Sequence, residues 1–194
     1  MHPFRKYIVQ YTPVLHTEWE LIASCLVRAE YSRGDILLKS GKLCRKLYFL
    51  ESGFLRFYID KDGRDITKFF THSPYCFTAQ KSFTTDAPSD EAIEVLQDAV
   101  IWEMPKKEAF DLLVYPHWST FIRKLIQEVQ FNTEQILEDL QNLTAEERYV
   151  NMVEAGDQIL IHAPLKDIAS YLGIAPQSLS RIRKKYWTTS TKLT

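Results

Sequence analysis

Between Tyr31 and Met104, short β-prone runs alternate with turn signals, and no other feature of the chain narrows its possible folds as far. The runs are Asp35-Ile-Leu-Leu-Lys39, Lys46-Leu-Tyr-Phe-Leu50, Phe54-Leu-Arg-Phe-Tyr-Ile59, Asp65-Ile-Thr-Lys-Phe-Phe70, Glu91-Ala-Ile-Glu-Val-Leu96 and Ala99-Val-Ile-Trp102. Among them stand Arg33-Gly34, Ser40-Gly41, Ser52-Gly53 and Asp62-Gly63, where a reversing backbone calls for positive φ. Strands so short and so punctuated predict an antiparallel sandwich or barrel-like roll. Asp60-Lys-Asp-Gly63 is its clearest hairpin tip.

On either side the periodicity is helical. Residues 1–30 read as helix, with Thr17 as a cap, Glu20 three positions later, and Trp19, Leu21, Ile22, Cys25 and Leu26 as the apolar stripe. Pro105 to Tyr115 reads as a short helix. Pro116 then opens a long one that runs to residue 142. Its apolar positions Ile122, Ile126, Val129, Ile136, Leu140 and Leu143, with Thr133 filling the gap, step by four and three, the spacing of a coiled-coil seam. Trp118, Phe121, Leu125 and Leu137 form a second face. Two readings stay open: one face packs on the roll while Ile122, Ile126, Val129, Thr133, Ile136 and Leu140 meet a second copy, or the helix is buried within one chain. Thr144-Ala-Glu-Glu147 is a capping box that starts a new helix, which Gly156-Asp157 ends. Gln158-Ile-Leu-Ile-His162 reads as a short strand-like run.

The stretch Pro164 to Tyr186 then reads as two short helices joined by a tight turn. Ile168, Ala169 and Leu172 line the first helix, and Gly173 supplies its permissive C-terminus. Pro176 suits the first turn of the second helix, whose Leu179 and Ile182 pack back. This pattern fits a helix-turn-helix, with Gln177, Ser178, Ser180, Arg181, Lys184 and Lys185 exposed and Lys166 near the first helix start. An ordinary helical hairpin with a solvated basic face is the alternative. Charge partition favours DNA. The chain carries 24 Lys and Arg against 25 Asp and Glu, net −1, yet no acid follows Asp167 while Arg181, Arg183, Lys184, Lys185 and Lys192 do. A local basic patch of that kind is what phosphate binding needs. Past Trp187 the tail is expected to fray.

With 194 residues, 45% of them hydrophobic and 25% charged, the chain is ordinary for one medium globular domain or two small ones. No apolar run is long enough to span a membrane, and the first residues lack a signal-peptide core. Cys25, Cys44 and Cys76 are odd in number and widely spaced, which fits free thiols and a cytoplasmic protein. The six glycines form no phosphate loop, and the five histidines form no metal motif. Asp86, Asp90, Glu91 and Glu94 read as a solvated loop and strand edge. No catalytic residue, metal or cofactor is expected, and an enzyme is disfavoured.

Roll, long helix and small basic helical end, in that order, resemble the Crp/Fnr family of bacterial transcription regulators. The residues that carry the resemblance are Gly34-Asp35, Leu47-Tyr-Phe-Leu-Glu-Ser-Gly53, Leu55-Arg-Phe-Tyr58 and Asp62-Gly63. To these the C-terminal end adds Asp167-Ile-Ala-x-x-Leu-Gly-Ile174 and Ser178-Leu-Ser-Arg-Ile-Arg-Lys184. The resemblance implies an α+β chain: a β-roll sensor with flanking helices over 1–115, a dimerisation helix over 116–142 and a helix-turn-helix domain over 143–194. It further implies a homodimer on double-stranded DNA, with RNA polymerase as a candidate partner. Gln177 and Arg181 would read bases, and Ser178, Lys166, Lys184 and Lys185 would take phosphates; Arg183 would face the domain core.

The resemblance fails at the phosphate-binding cassette. Where cyclic-nucleotide binders of the family place Gly-Glu and Arg-Ser/Thr-Ala, this chain has Ala79-Gln80 and Asp90-Glu91-Ala92. A carboxylate in place of a guanidinium repels a cyclic phosphate, so cAMP is not the expected effector. Phe77, Gln80, Ser82, Ser89, Asp90 and Thr133 are expected to line a pocket for an unidentified small-molecule effector. A small-molecule-binding or protein-interaction module without specific DNA binding is the competing reading.

Overall fold

A computed structural model describes residues 1–190, so Lys192 lies outside the described residues. Two short helices, α1 (Pro3–Ile8) and α2 (His16–Ser24), lead into six strands: β1 (Val27–Tyr31), β2 (Ile36–Leu38), β3 (Lys46–Lys61), β4 (Arg64–His72), β5 (Tyr75–Phe77) and β6 (Ala92–Pro105). Helix α3 (Gln80–Thr85) stands between β5 and β6. After the sheet come α4 (Lys106–Asp111), a 3₁₀ turn (Leu112–Val114) and the long α5 (Pro116–Asn142). The chain closes with α6 (Ala145–Glu154), α7 (Ile159–His162), α8 (Leu165–Leu172) and α9 (Pro176–Ser190). All pairings are antiparallel, in the order β1-β6-β3-β4, with β2 also on β6 and β5 on β3. The class is α+β, as expected.

Several boundaries differ from the sequence reading. Lys46–Leu50 and Phe54–Ile59 are one strand, because Ser52-Gly53 is an irregular step in the ladder and not a reversal. Gly53 has φ +116°, and a Cβ there would lie 2.6 Å from Ala99 Cβ, so the close approach of β6 requires glycine. The runs 91–96 and 99–102 likewise merge into β6. Val27–Glu30, read as helix, joins Tyr31 in β1 by pairing with Ala99–Glu103, a tertiary partner that overrides local preference. Thr17 lies inside α2 and caps nothing, because the helix begins after Leu15. The hairpin at Asp60–Gly63 is present, with Lys61 opposite Arg64.

Residues 54–57 of β3 are buried on both faces, which explains why Phe54, Leu55 and Phe57 do not alternate with exposed residues and why the one charged residue among them, Arg56, is buried. Leu55 and Phe57 point into the main core with Phe49, Leu50, Ile93 and Ile101. Phe4 of α1 stacks on Phe49 at 4.7 Å and meets Trp118 and Phe121 of α5 edge-on, closing that core. Glu18, only 4% exposed, accepts from the Trp118 amide at 2.7 Å and stands 2.7 Å from His117 Nδ1, fixing the start of α5. Leu125 is the last residue of α5 buried there. Leu137, read as part of the packing face, is 53% exposed because the helix has by then left the roll.

A second cluster of Tyr149, Met152, Ile168, Ala169, Leu172 and Leu179 holds α6, α8 and α9 together. The Thr144 capping box forms as read: the Glu147 amide donates to Thr144 Oγ1 at 3.2 Å, and the Thr144 amide donates to Glu147 Oε2 at 2.8 Å. Residues 159–162 are helical with Gln158 as the cap, contrary to the strand-like reading. The Asp157 carboxylate accepts from the Ile159 amide at 2.9 Å and starts a turn that tucks Ile159 and Leu160 into the cluster. Helix α9 continues to Ser190, past the expected fraying point at Trp187.

Candidate functional site

Between the roll and α5 lies a cavity of about 710 Å³. The rings of Phe57, Phe69 and Phe77 pack at its sheet side with centroids 5.6 Å apart in the pairs Phe57–Phe69 and Phe57–Phe77. Ile122, Leu125, Ile126 and Val129 of α5 face them across it. All six residues expected to form an effector pocket line this one space: Phe77, Gln80, Ser82, Ser89, Asp90 and Thr133. Five of the six seam residues of α5 line it too (Ile122, Ile126, Val129, Thr133 and Ile136), whereas Leu140 lies beyond it, 52% exposed. One α5 face thus supplies both the cavity wall and the exposed apolar strip that ends in Leu137 and Leu140.

The acidic cluster is not an open metal site. Asp86 pairs with Lys106 at 2.8 Å, Asp90 with Lys81 at 2.6 Å, Glu91 with Lys68 at 2.8 Å and Glu94 with Arg56 at 2.5 Å. Among the described residues no three His, Cys, Asp or Glu side chains gather as metal ligands. The serine and threonine hydroxyls of the lining are engaged as well. Ser82 Oγ accepts from the Cys44 amide at 2.9 Å, and Ser89 and Thr133 donate to the Glu91 and Val129 carbonyls. Burial pushes the Cys76 thiol beneath them far up, and all three cysteines are free.

On the opposite face of the same sheet, α7 and α8 are docked. Arg56 of β3, 3% exposed, donates to Asp167 of α8 at 2.6 Å, to Glu94 at 2.5 Å and to Asp65 at 3.1 Å. Its guanidinium also lies 4.2 Å from the Tyr58 ring centroid. Ser170 donates to the Asp65 carbonyl and accepts from the Thr67 amide, continuing the β4 edge into α8. Phe70 meets Tyr171 edge-on at 5.5 Å, and Gln97 reaches His162 Nδ1 at 2.7 Å. Sequence reasoning used Arg56 only as part of a motif; a basic residue inside a continuous apolar strand was the available signal that a buried partner waits for it.

Helix α8 ends at Gly173 in the left-handed conformation, φ +73°, and α9 begins three residues later. Gln177, Ser180, Arg181 and Lys184 are exposed at positions i, i+3, i+4 and i+7 of α9, hence on one face. Lys166 is exposed, Ser178 is half-buried, and Lys185 is held 2.6 Å from Glu146 of α6. Arg183 is exposed and does not face the core, because Leu179 and Ile182 occupy that side.

Residues 28–114 match the cyclic nucleotide-binding domain family. The match ends at the 3₁₀ turn before α5. No curated protein matches the sequence. Likeness to solved structures extends over nearly the whole chain. The c-di-GMP-responsive global regulator CLP of Xanthomonas campestris has a TM-score of 0.72 at 14% identity, covering 90% of this chain and 92% of its own. A protein described as a transcriptional regulator of the Crp/Fnr family, from Eubacterium rectale, gives 0.71 at 18% identity, covering 93% and 88%. The catabolite activator protein of Thermus thermophilus gives 0.56 at 16% identity, covering 93% and 87%. The domain match thus agrees with the roll. Among the described residues no helix is long and apolar enough to cross a membrane.

Proposed function

We propose that this chain is a homodimeric, sequence-specific DNA-binding transcription regulator whose roll senses something other than cAMP. The observation that carries the reading is the α8–Gly173–α9 pair, which presents Gln177, Arg181 and Lys184 on one exposed face of a helix in a terminal segment without acids. A second helix so presented fits the major groove. Gln177 and Arg181 have the donor and acceptor pattern for adenine and guanine edges, and Lys166, Ser178, Ser180 and Lys184 suit phosphates. Lys185 joins them only by giving up Glu146.

Homodimerisation through α5 belongs to the same reading, since Ile126, Leu137 and Leu140 are each at least half exposed on one chain. Residues 116–142 would then join a sensor over 1–115 to a reading head over 143–194. Two dimer geometries, of which one spaces the reading helices about 34 Å apart, would make binding switchable. RNA polymerase is the further partner such a regulator would meet, and the cytoplasm its place. In the cavity the cations are paired and Asp90 and Glu91 stand in the cassette, which supports rejection of a cyclic phosphate.

A gel shift with random genomic fragments tests the reading. Binding should weaken steeply between about 50 and about 200 mM salt, because each phosphate contact releases counterions. Flat or absent binding would favour a small-molecule or protein-interaction module instead.

A further inference from the structure

The charge on the cavity wall is fully compensated. Among the described residues its two cations, Lys68 and Lys81, are 2.8 Å and 2.6 Å from Glu91 and Asp90. Each lining serine and threonine hydroxyl already has a partner within the chain: Ser82 with the Cys44 amide, Thr78 with the Lys46 carbonyl, Thr84 with that of Gln80, Ser89 with that of Glu91 and Thr133 with that of Val129. Burial pushes the Tyr75 phenol up to about 12, so the one tyrosine of the lining stays neutral. The remaining surface is aromatic and aliphatic, from the Phe57, Phe69 and Phe77 rings to Phe83, Leu125 and Val129.

A charged ligand entering this space would lose its hydration and find no unpaired countercharge, a cost that an uncharged one escapes. The volume, about 710 Å³, falls in the range of small-molecule sites, roughly 300–1,000 Å³. The side chains left with polar atoms to offer are the amides of Gln80 and Asn132, both exposed on the lining, and the neutral Tyr75 phenol. We infer that the cavity between the roll and α5 binds an uncharged, largely apolar small molecule whose single polar group meets the Gln80 or Asn132 amide or the Tyr75 phenol. This supplies a ligand class for the sensor in the reading above and rests on it only for the word sensor. The test contains no DNA, so either can fail alone.

The probe is N-phenylnaphthylamine, an uncharged fluorophore, titrated into the full-length protein. Saturable fluorescence at one probe per chain is expected, with decanol displacing it at least about tenfold better than decyl phosphate or cAMP. The variant Gln80→Arg should let decyl phosphate compete at least about tenfold better relative to decanol, because the new guanidinium supplies the unpaired countercharge. That gain of preference cannot come from misfolding. Displacement by decyl phosphate or cAMP as strong as by decanol would overturn the inference. So would loss of the signal in Phe131→Ser, because Phe131 is 67% exposed on α5 and does not line the cavity. A signal that falls as protein concentration drives chains together would overturn it too, since the apolar wall would then be a subunit interface.

Discussion

Nη1 of Arg56 stands 2.6 Å from Oδ1 of Asp167, and this pair joins the sheet to α8 across 111 residues of sequence. Strand alternation gives the contact its setting. Phe57 and Phe69 line the cavity, while Arg56 and Phe70, which are paired across β3 and β4, meet Asp167 and Tyr171 on the other face. One layer of sheet therefore separates the cavity from the helix that leads into α9. Arg56 is one cation among three carboxylates. Burial opposes its charge, but Asp167 and Glu94 more than offset that and push its pKa up.

Removing the guanidinium strands those carboxylates. Arg56→Ala should lower the unfolding free energy by about 3–5 kcal/mol. Arg56→Lys should recover little of it, because one ammonium cannot hold three carboxylates in the planar fork geometry. Urea denaturation of the three proteins measures this; a loss below about 1 kcal/mol for Arg56→Ala would assign the docking to Phe54, Phe70 and Tyr171 instead.

Asp167 sets a pH dependence. Burial pushes its carboxyl above the ordinary 3.8, Glu94 and Asp65 add to the push, and Arg56 and Lys166 oppose it. A raised folded value means that the folded chain holds this proton more tightly than the unfolded one. The stability it contributes is present below 3.8 and is lost as pH rises through the folded value. Relative to Asp167→Asn, which does not titrate, the parent should therefore lose stability as pH rises from about 4 towards neutrality. A parent that gains on the variant over that interval would reverse the sign.

Gly53 tests the close approach of β3 and β6. Gly53→Ala places a Cβ 2.6 Å from Ala99 Cβ at φ +116°, and should cost about 1–3 kcal/mol. Gly63→Ala, with positive φ but open space around it, should cost less. Thermal unfolding of both variants makes the comparison.

On the DNA side, Arg181→Ala should cost about 1–3 kcal/mol and relax preference at one base pair. Lys184→Ala should weaken all sequences alike and lower the salt slope by about one. Anisotropy titrations with single-base operator variants distinguish these roles, and identical behaviour of the two variants would remove Arg181 as a base reader.

The roll was legible because turn residues and apolar runs are local signals, and the capping box at Thr144 and the bounds of α5 were legible for the same reason. What escaped were features that a distant partner decides. Val27–Tyr31 is a strand only because β6 lies beside it, and Ser52-Gly53 looks like a turn until Ala99 is placed against it. The six cavity residues came together as read, since flanking elements fix their positions. The neutralised charge of that cavity did not: a sequence shows Asp90 and Glu91 but not the lysines across from them. Nor does it show that one face of α5 serves both as cavity wall and as apolar seam.

The central claim is that paired α9 helices read a two-fold DNA sequence. Selection from genomic DNA, followed by anisotropy at about 150 mM salt, measures it as a ratio of affinities. The account predicts a symmetric sequence with half-sites about one helical turn apart, bound at least about a thousandfold more tightly than random duplex. Equal affinity for selected and random DNA, or enrichment of an unsymmetric single site, would contradict it.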